Sequence, residues 1–435
     1  MSNPVEVNVR PFLARRARLL EAIGDGVALI PTAAEQVRNQ GNAYPYRADS
    51  SFYYLTGFPE PDAALVLTGG RSIFFCRERD AEKEIWHGHR YGPERAREAF
   101  AFDEAWPFEE LSERLPSWLA SAPALWFNLG QYSDWDLRVT VALNVLRTHG
   151  GADERPPGSL HDLRPLLNEM RLVKDADEQA IMRRAATMSS AGHQRAMRLC
   201  RPGIMEYELE AELFHAFRSQ GASGHAYNPI VAGGANACVL HYSENSQPVP
   251  DGALVLIDAG CELEGYAADI TRTFPVNGRF SAAQRDVYAI VLAAQAAAIA
   301  AIRPGVAYDA PHQAAVRVLT QGMIDLKLLT GSLDGLVESA AYKRFYMHNT
   351  GHWLGLDVHD VGEYREADGN WRRLQAGMTL TVEPGLYLRA ADDVPEALRD
   401  IGIRIEDDVF VTETGCEVYT DAPKTIAAIE ALMQA

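Results

Sequence analysis

The sequence predicts an α+β protein whose N-terminal third is an α/β domain. Three observations carry this. Helix-spaced apolar runs alternate with short apolar strands through the first third. Later strands are joined by hairpin signatures rather than by regular β-α-β repeats. A polar stretch over residues 150–158, with Gly-Gly, Asp-Glu and Pro-Pro pairs, separates the two regimes. At 435 residues the chain is long enough for two domains, and the expected division is an α/β domain over 1–172 and a second domain over 173–435.

The elements follow in order. Residues 12–23 carry apolar side chains at helical spacing, stopped by Gly24 and Gly26. Residues 27–31 (VALIP) form an apolar strand. Residues 63–67 and 72–76 are two more, separated by Thr68-Gly69-Gly70-Arg71, a hairpin signature. Residues 124–129 repeat the strand pattern. Asp175 followed by Glu178 is a capping box that opens a helix running through Leu199. Helices are expected over 207–218 and 281–303, and strands over 254–257, 378–382 and 401–405.

Composition narrows the function classes. Hydrophobic residues at 47% and charged residues at 23% describe a globular chain and exclude a disordered one. A net charge of −18 repels phosphate backbones, so no nucleic-acid partner is expected. The most apolar long segment, 286–302, is Ala-rich and broken by Gln295, which reads as a helix rather than a membrane span, so no membrane partner is expected either. Five cysteines, an odd number with no C-x-x-C, indicate reduced thiols. With no apolar signal core near the N-terminus, the expected compartment is the cytoplasm. Phosphate-binding, dinucleotide-binding, G-x-S-x-G and H-E-x-x-H motifs are all missing from the sequence.

Acids recur at strand ends. Asp258 closes Leu254-Val-Leu-Ile257, and Asp269 follows Ala267-Ala268. With the turn centred between Leu263 and Glu264, the two aspartates sit directly opposite on one hairpin face. Such a pair is destabilising unless a divalent cation offsets it; a bulge that splits the pair, or one solvated Asp, is the alternative. Glu383 ends the alternating strand of residues 378–382, and Arg404 and Glu406 share a face opposite Ile401, Ile403 and Ile405. His348, His352 and His359 lie within a dozen residues among glycines, and His241 follows another apolar stretch. Imidazoles ligate metals or donate to oxyanions, or else simply pack near turns.

In these settings the order Asp258, Asp269, His352, Glu383, Glu406 resembles the dinuclear-metal "pita-bread" peptidases, which include aminopeptidase P, prolidase and methionine aminopeptidase. His348-x-x-x-His352-Trp-Leu-Gly-Leu-Asp-Val-His359, Thr381-Val-Glu383-Pro-Gly-Leu-Tyr387 and Gly402-Ile-Arg404-Ile-Glu406 resemble the bacterial aminopeptidase P group most closely, as do Leu240-His241-Tyr-Ser-Glu-Asn and Tyr46-Arg-Ala-Asp-Ser-Ser-Phe52. The resemblance implies a C-terminal pita-bread (creatinase/aminopeptidase-like) catalytic domain behind the α/β domain. It implies a proline-specific aminopeptidase, a hydrolase that removes the N-terminal residue from peptides with proline second, by a hydroxide activated between two divalent ions.

The implied metal ligands are Asp258, Asp269, His352, Glu383 and Glu406. Glu383 would also relay a proton, His241 and His359 would donate to the substrate, and Arg404 would orient Glu406 or contact the chain beyond proline. His348 and Tyr387 would line the proline pocket, and Trp86 would reach a neighbouring subunit's site in a homodimer or homotetramer. The thiolate-free, oxygen-rich donor set favours Mn²⁺, with Co²⁺, Fe²⁺ or Zn²⁺ as the other candidates. Two further readings stay open: an Xaa-Pro dipeptidase (prolidase), and a non-catalytic pita-bread binding protein.

Overall fold

The computed structural model describes residues 7–151 and 153–435. The chain divides into two compact units, one ending at Met170 and the other running from Arg171 to Ala435.

The first unit is built on a six-stranded sheet. From edge to edge its strands are Glu104–Pro107, Arg71–Cys76, Ala64–Thr68, Val27–Pro31, Ala124–Trp126 and Ser159–His161. The hairpin at residues 68–71 forms as its glycines suggest: Thr68 pairs with Arg71, and Gly69 and Gly70 take φ of 54° and 74°. The three central strands are fully buried apart from their ends. Sheet residues such as Val66, Ile73 and Phe75 pack on Leu115, Leu119 and Val139 of the covering helices. Parallel and antiparallel pairs coexist, as an α/β unit containing one hairpin requires.

The second unit opens with the helix Ala176–Leu199. Asp175 accepts from the Glu178 amide, and Glu178 accepts in turn from the Asp175 amide, so the capping box is formed. Helices Glu206–Ser219, Ala282–Ala301 and Ala310–Asp325 follow, interleaved with short antiparallel sheets. Strand Leu254–Asp258 lies between Ile230–Gly233 and Thr271–Pro275. Thr379–Val382 pairs with Asp407–Val411, and Gly385–Leu388 with Ile401–Arg404. One continuous apolar core, including Val255, Ile257, Phe274, Val291, Leu319 and Ile403, supports these strands. Beside it an ion cluster centred on the buried Arg272 and Asp407 pins the strands together: Arg272 donates to Asp407 at 2.6 Å, and Thr420 and the half-buried Lys424 also bond Asp407.

The register of the aspartate hairpin differs from the sequence expectation by two residues. Asp258 pairs with Thr271, and Leu263 with Tyr266. The turn is therefore Glu264-Gly265, whose φ values of 50° and 82° are both positive. A two-residue turn of this kind matches strand twist, and glycine at its second position makes that backbone cheap. Asp258 and Asp269 are consequently diagonal neighbours rather than directly opposed. A shift of two residues preserves the face, so their side chains still converge. No helix among the described residues is long and apolar enough to cross a membrane.

Candidate active site

The strand ends and the histidine segment meet around a cavity of about 970 Å³. Asp258, Asp269, His352, Glu383, Glu406, His241, His348, His359 and Arg404 all line it. Tyr387 lies just behind, buried at 1% exposure. Trp86 belongs to the first unit, where it is 78% exposed on the helix Ala81–His87.

The acids form the floor. Ligand atoms of Asp269, His352 and Glu406 lie within 4.8 Å of one another. His352 Nε2 is 3.5 Å from Asp269 Oδ2 and 3.7 Å from Glu383 Oε1. The imidazole is aimed by its other nitrogen: Nδ1–H donates to the Trp353 carbonyl at 3.0 Å, leaving Nε2 directed at the acids. That is the arrangement a metal-binding histidine needs. Glu406 accepts from the Thr271 hydroxyl at 2.6 Å, and the Asp408 carboxylate accepts from the Asp269 amide at 3.1 Å.

The electrostatics of this floor call for cations. Burial, reinforced by the neighbouring acids, pushes the Glu406 carboxyl well above its ordinary range and Glu383 up to about 7. Asp269 is raised by burial and by Asp258. Asp258 alone is held below the usual range: burial opposes it, but the Arg404 guanidinium, 2.6 Å away, outweighs burial. Burial works against the charge on His352, yet Asp269 and Glu383 raise it to about 9. Three buried carboxylates and the half-buried Glu383 thus share one guanidinium and one imidazolium. The donor set, four carboxylates and an imidazole with no thiolate, fits a pair of hard divalent cations, whose binding would displace the imidazole proton.

Arg404 reaches Asp258 rather than Glu406. Its Nη1 donates to the Tyr387 oxygen at 3.0 Å, and its Nε donates to the Thr271 hydroxyl at 3.2 Å. Arg404 lies within the strand Ile401–Arg404 while Glu406 lies beyond its end, so the alternation that would place them side by side does not continue. This contact fixes a tautomer. A guanidinium only donates, so the Tyr387 oxygen accepts from it and passes its own hydrogen to His348 Nε2 at 2.8 Å. His348 Nδ1–H then donates to the Asn349 carbonyl at 2.7 Å. The ring is neutral with both nitrogens engaged, in keeping with burial and Arg404 lowering its pKa to about 3. It presents an apolar edge to the cavity. His241 and His359 are exposed by contrast, and the His359 ring stands 4.2 Å from that of His352, edge to face.

Several contributors lack a sequence signature. The Tyr227 hydroxyl lies 2.7 Å from Asp258 Oδ1 and 2.5 Å from Asp269 Oδ1, and no motif marks it. Tyr308 and Trp371 form an aromatic wall, their rings 6.2 Å apart. His193, fully buried, donates to the Ala259 carbonyl beneath the hairpin. Thr271, which bonds Glu406, opens the strand Thr271–Pro275 two residues after Asp269.

Comparison with known proteins agrees with this geometry. Residues 180–413 match Metallopeptidase family M24, and residues 12–126 match the Aminopeptidase P N-terminal domain. The chain is 45% identical over 437 residues to an Xaa-Pro aminopeptidase of Escherichia coli K12, covering 99% of each. Among solved structures it superposes with a TM-score of 0.96 on aminopeptidase PepP of Pseudomonas aeruginosa, at 47% identity and 99% coverage of both chains. It superposes equally well, at 44% identity and 99% coverage of both, on a zinc-substituted E. coli aminopeptidase P in complex with product.

Proposed function

This chain belongs to metallopeptidase family M24, and from that premise we propose that it removes the N-terminal residue from peptides whose second residue is proline. The convergence of Asp258, Asp269, His352, Glu383 and Glu406 on one buried floor is the observation that carries this reading. Two divalent cations held by those five side chains, Mn²⁺ first among the candidates, would supply Lewis-acid polarisation and water activation at neutral pH.

The chain's own residues do the rest. Glu383 accepts a proton from the attacking water and delivers it to the departing proline nitrogen. Partial desolvation of its ring and the neighbouring His352 lower the pKa of His359 below the usual imidazole range. His359 and His241 each offer an N–H toward the carbonyl oxygen as charge develops there. His348 and Tyr387 offer an uncharged wall that suits a pyrrolidine ring, which has no N–H to donate. Arg404 holds Asp258 in line with the floor and fixes the Tyr387–His348 pair. The open side of the cavity, lined by Tyr308 and Trp371, leaves room for the peptide beyond proline.

Ile85 and Trp86, 81% and 78% exposed on one short helix, support a homodimer or homotetramer in which Trp86 meets a neighbouring subunit's site. Five cysteines without a disulfide support a cytoplasmic setting. The test is to incubate Mn²⁺-loaded protein separately with Gly-Pro-Ala and Gly-Pro. Release of glycine from the tripeptide is expected. Release from the dipeptide alone would make the protein an Xaa-Pro dipeptidase instead.

A further inference from the structure

We propose that Glu206, which lies outside the cavity, is a positioning residue for His241. The inference rests on the role given to His241 above. His241 is exposed and lines the cavity, and its ring makes no hydrogen bond among the described residues. Where its Cα–Cβ bond points into the cavity, and so how far the ring reaches, is set by its backbone. The next residue, Tyr242, is 7% exposed and donates its hydroxyl to Glu206 Oε2 at 2.7 Å. The Gln247 amide donates to the same oxygen at 2.9 Å. Glu206 Oε1 accepts from the Gly233 amide at 2.8 Å and from Asn236 Nδ2 at 2.9 Å. Both ends of the 233–247 segment, and the residue beside His241, thus converge on one carboxylate.

Glu206 has no solvent exposure, and no cation pairs with it among the described residues. Its charge is held by four neutral donors and by its place as the first residue of the helix Glu206–Ser219, where the helix dipole favours an anion. A carboxylate offers about four acceptor sites, and here all are committed to one loop. A second anchor acts on the same loop: Asn245 accepts from the Val231 amide and donates to the Pro229 carbonyl, each at 2.9 Å. The exposed tip that carries His241 is closed by one bond, from the Tyr242 amide to the Val239 carbonyl at 3.3 Å, and Tyr242 is the residue that Glu206 holds, so small shifts at Glu206 are transmitted to that imidazole.

The test is a double-mutant cycle on the metal-loaded enzyme, with a Gly-Pro-Ala substrate, using Glu206→Gln, His241→Ala and the pair. Glutamine keeps the shape but turns an NH₂ toward two of the four donors. Glu206→Gln is expected to lower kcat about ten- to hundredfold in the wild-type background with little change in KM. In the His241→Ala background the same change is expected to lower kcat less than about twofold. Equal losses in the two backgrounds would overturn the inference, because a general loosening of the fold acts whether or not His241 is present. If Glu206→Gln does not fold, Tyr242→Phe, which deletes the donor beside His241, is read in the same cycle by the same criterion. His241→Ala turning over at the wild-type rate would overturn the role of His241 itself, and this inference with it.

Discussion

Single residues in the site differ in what they cost the fold. Glu383 is a carboxyl that burial, helped by Asp269 and Asp258, pushes up to about 7, so the metal-free fold gains little from its charge. Glu383→Ala should reduce kcat by on the order of 10³ or more while leaving urea stability of the metal-free protein unchanged or raised. Asp258→Ala should abolish turnover as well, but it leaves the buried Arg404 without its 2.6 Å partner, and a loss of about 3 kcal/mol is expected. Wild-type turnover in either variant would refute the ligand assignment. His193 supplies a pH dependence. Burial lowers it to about 4, while the unfolded chain titrates near its ordinary 6.5. The unfolded state therefore takes up the proton first. The contribution is complete above pH 6.5 and is lost as pH falls toward 4. The gap in unfolding free energy between wild type and His193→Gln should narrow by about 3 kcal/mol from pH 7 to pH 4; a constant gap would contradict this.

At the scale of elements, the site depends on close backbone approach. His352 and Glu383 come from two segments laced together: the Thr381 amide donates to the His352 carbonyl at 3.0 Å and the Glu383 amide to the Thr350 carbonyl at 2.8 Å. Gly351 sits in this seam, and a Cβ there would lie 2.0 Å from the Thr381 carbonyl oxygen. Backbone cannot swing aside as a side chain can, so the two segments would have to part. Gly351→Ala should cost about 2–4 kcal/mol in urea denaturation and lower kcat, because both His352 and Glu383 move. A variant with unchanged stability and rate would show that the seam is not what holds them. Elements were the most legible level of the sequence. The Asp175–Glu178 capping box, the Thr68–Arg71 hairpin and the strand carrying Asp258 all follow from local chemistry. The aspartate hairpin was misread by two residues because several residues around its tip could make the turn. Only the pair of positive φ values at Glu264 and Gly265 selects among them.

At the scale of the whole molecule, residues from about Tyr227 to Glu406 surround one cavity. Its five acidic and imidazole side chains were legible because each stands at a strand end or in a glycine-bordered histidine run. Tyr227, His193 and Glu206 were not, since their roles arise only when distant segments pack together and no local pattern marks them. The charge pattern of the whole agrees with the site. A net −18 chain gathers four carboxylates at a buried point with one guanidinium and one imidazole to balance them. The core strands around that point are meanwhile tied by the Arg272–Asp407–Lys424 cluster, which also holds the backbone carbonyl of Glu406 through Arg272. The floor is thus strained electrostatically but supported mechanically, which is the condition of a preformed cation site. The most direct test is a calorimetric titration of chelator-treated protein with Mn²⁺, with bound metal then counted by elemental analysis. About two ions per chain are expected for the wild type, with proton release on binding, and fewer for Asp269→Asn and Glu406→Gln. A wild-type protein that takes up no divalent cation, or variants that bind as the wild type does, would contradict the account.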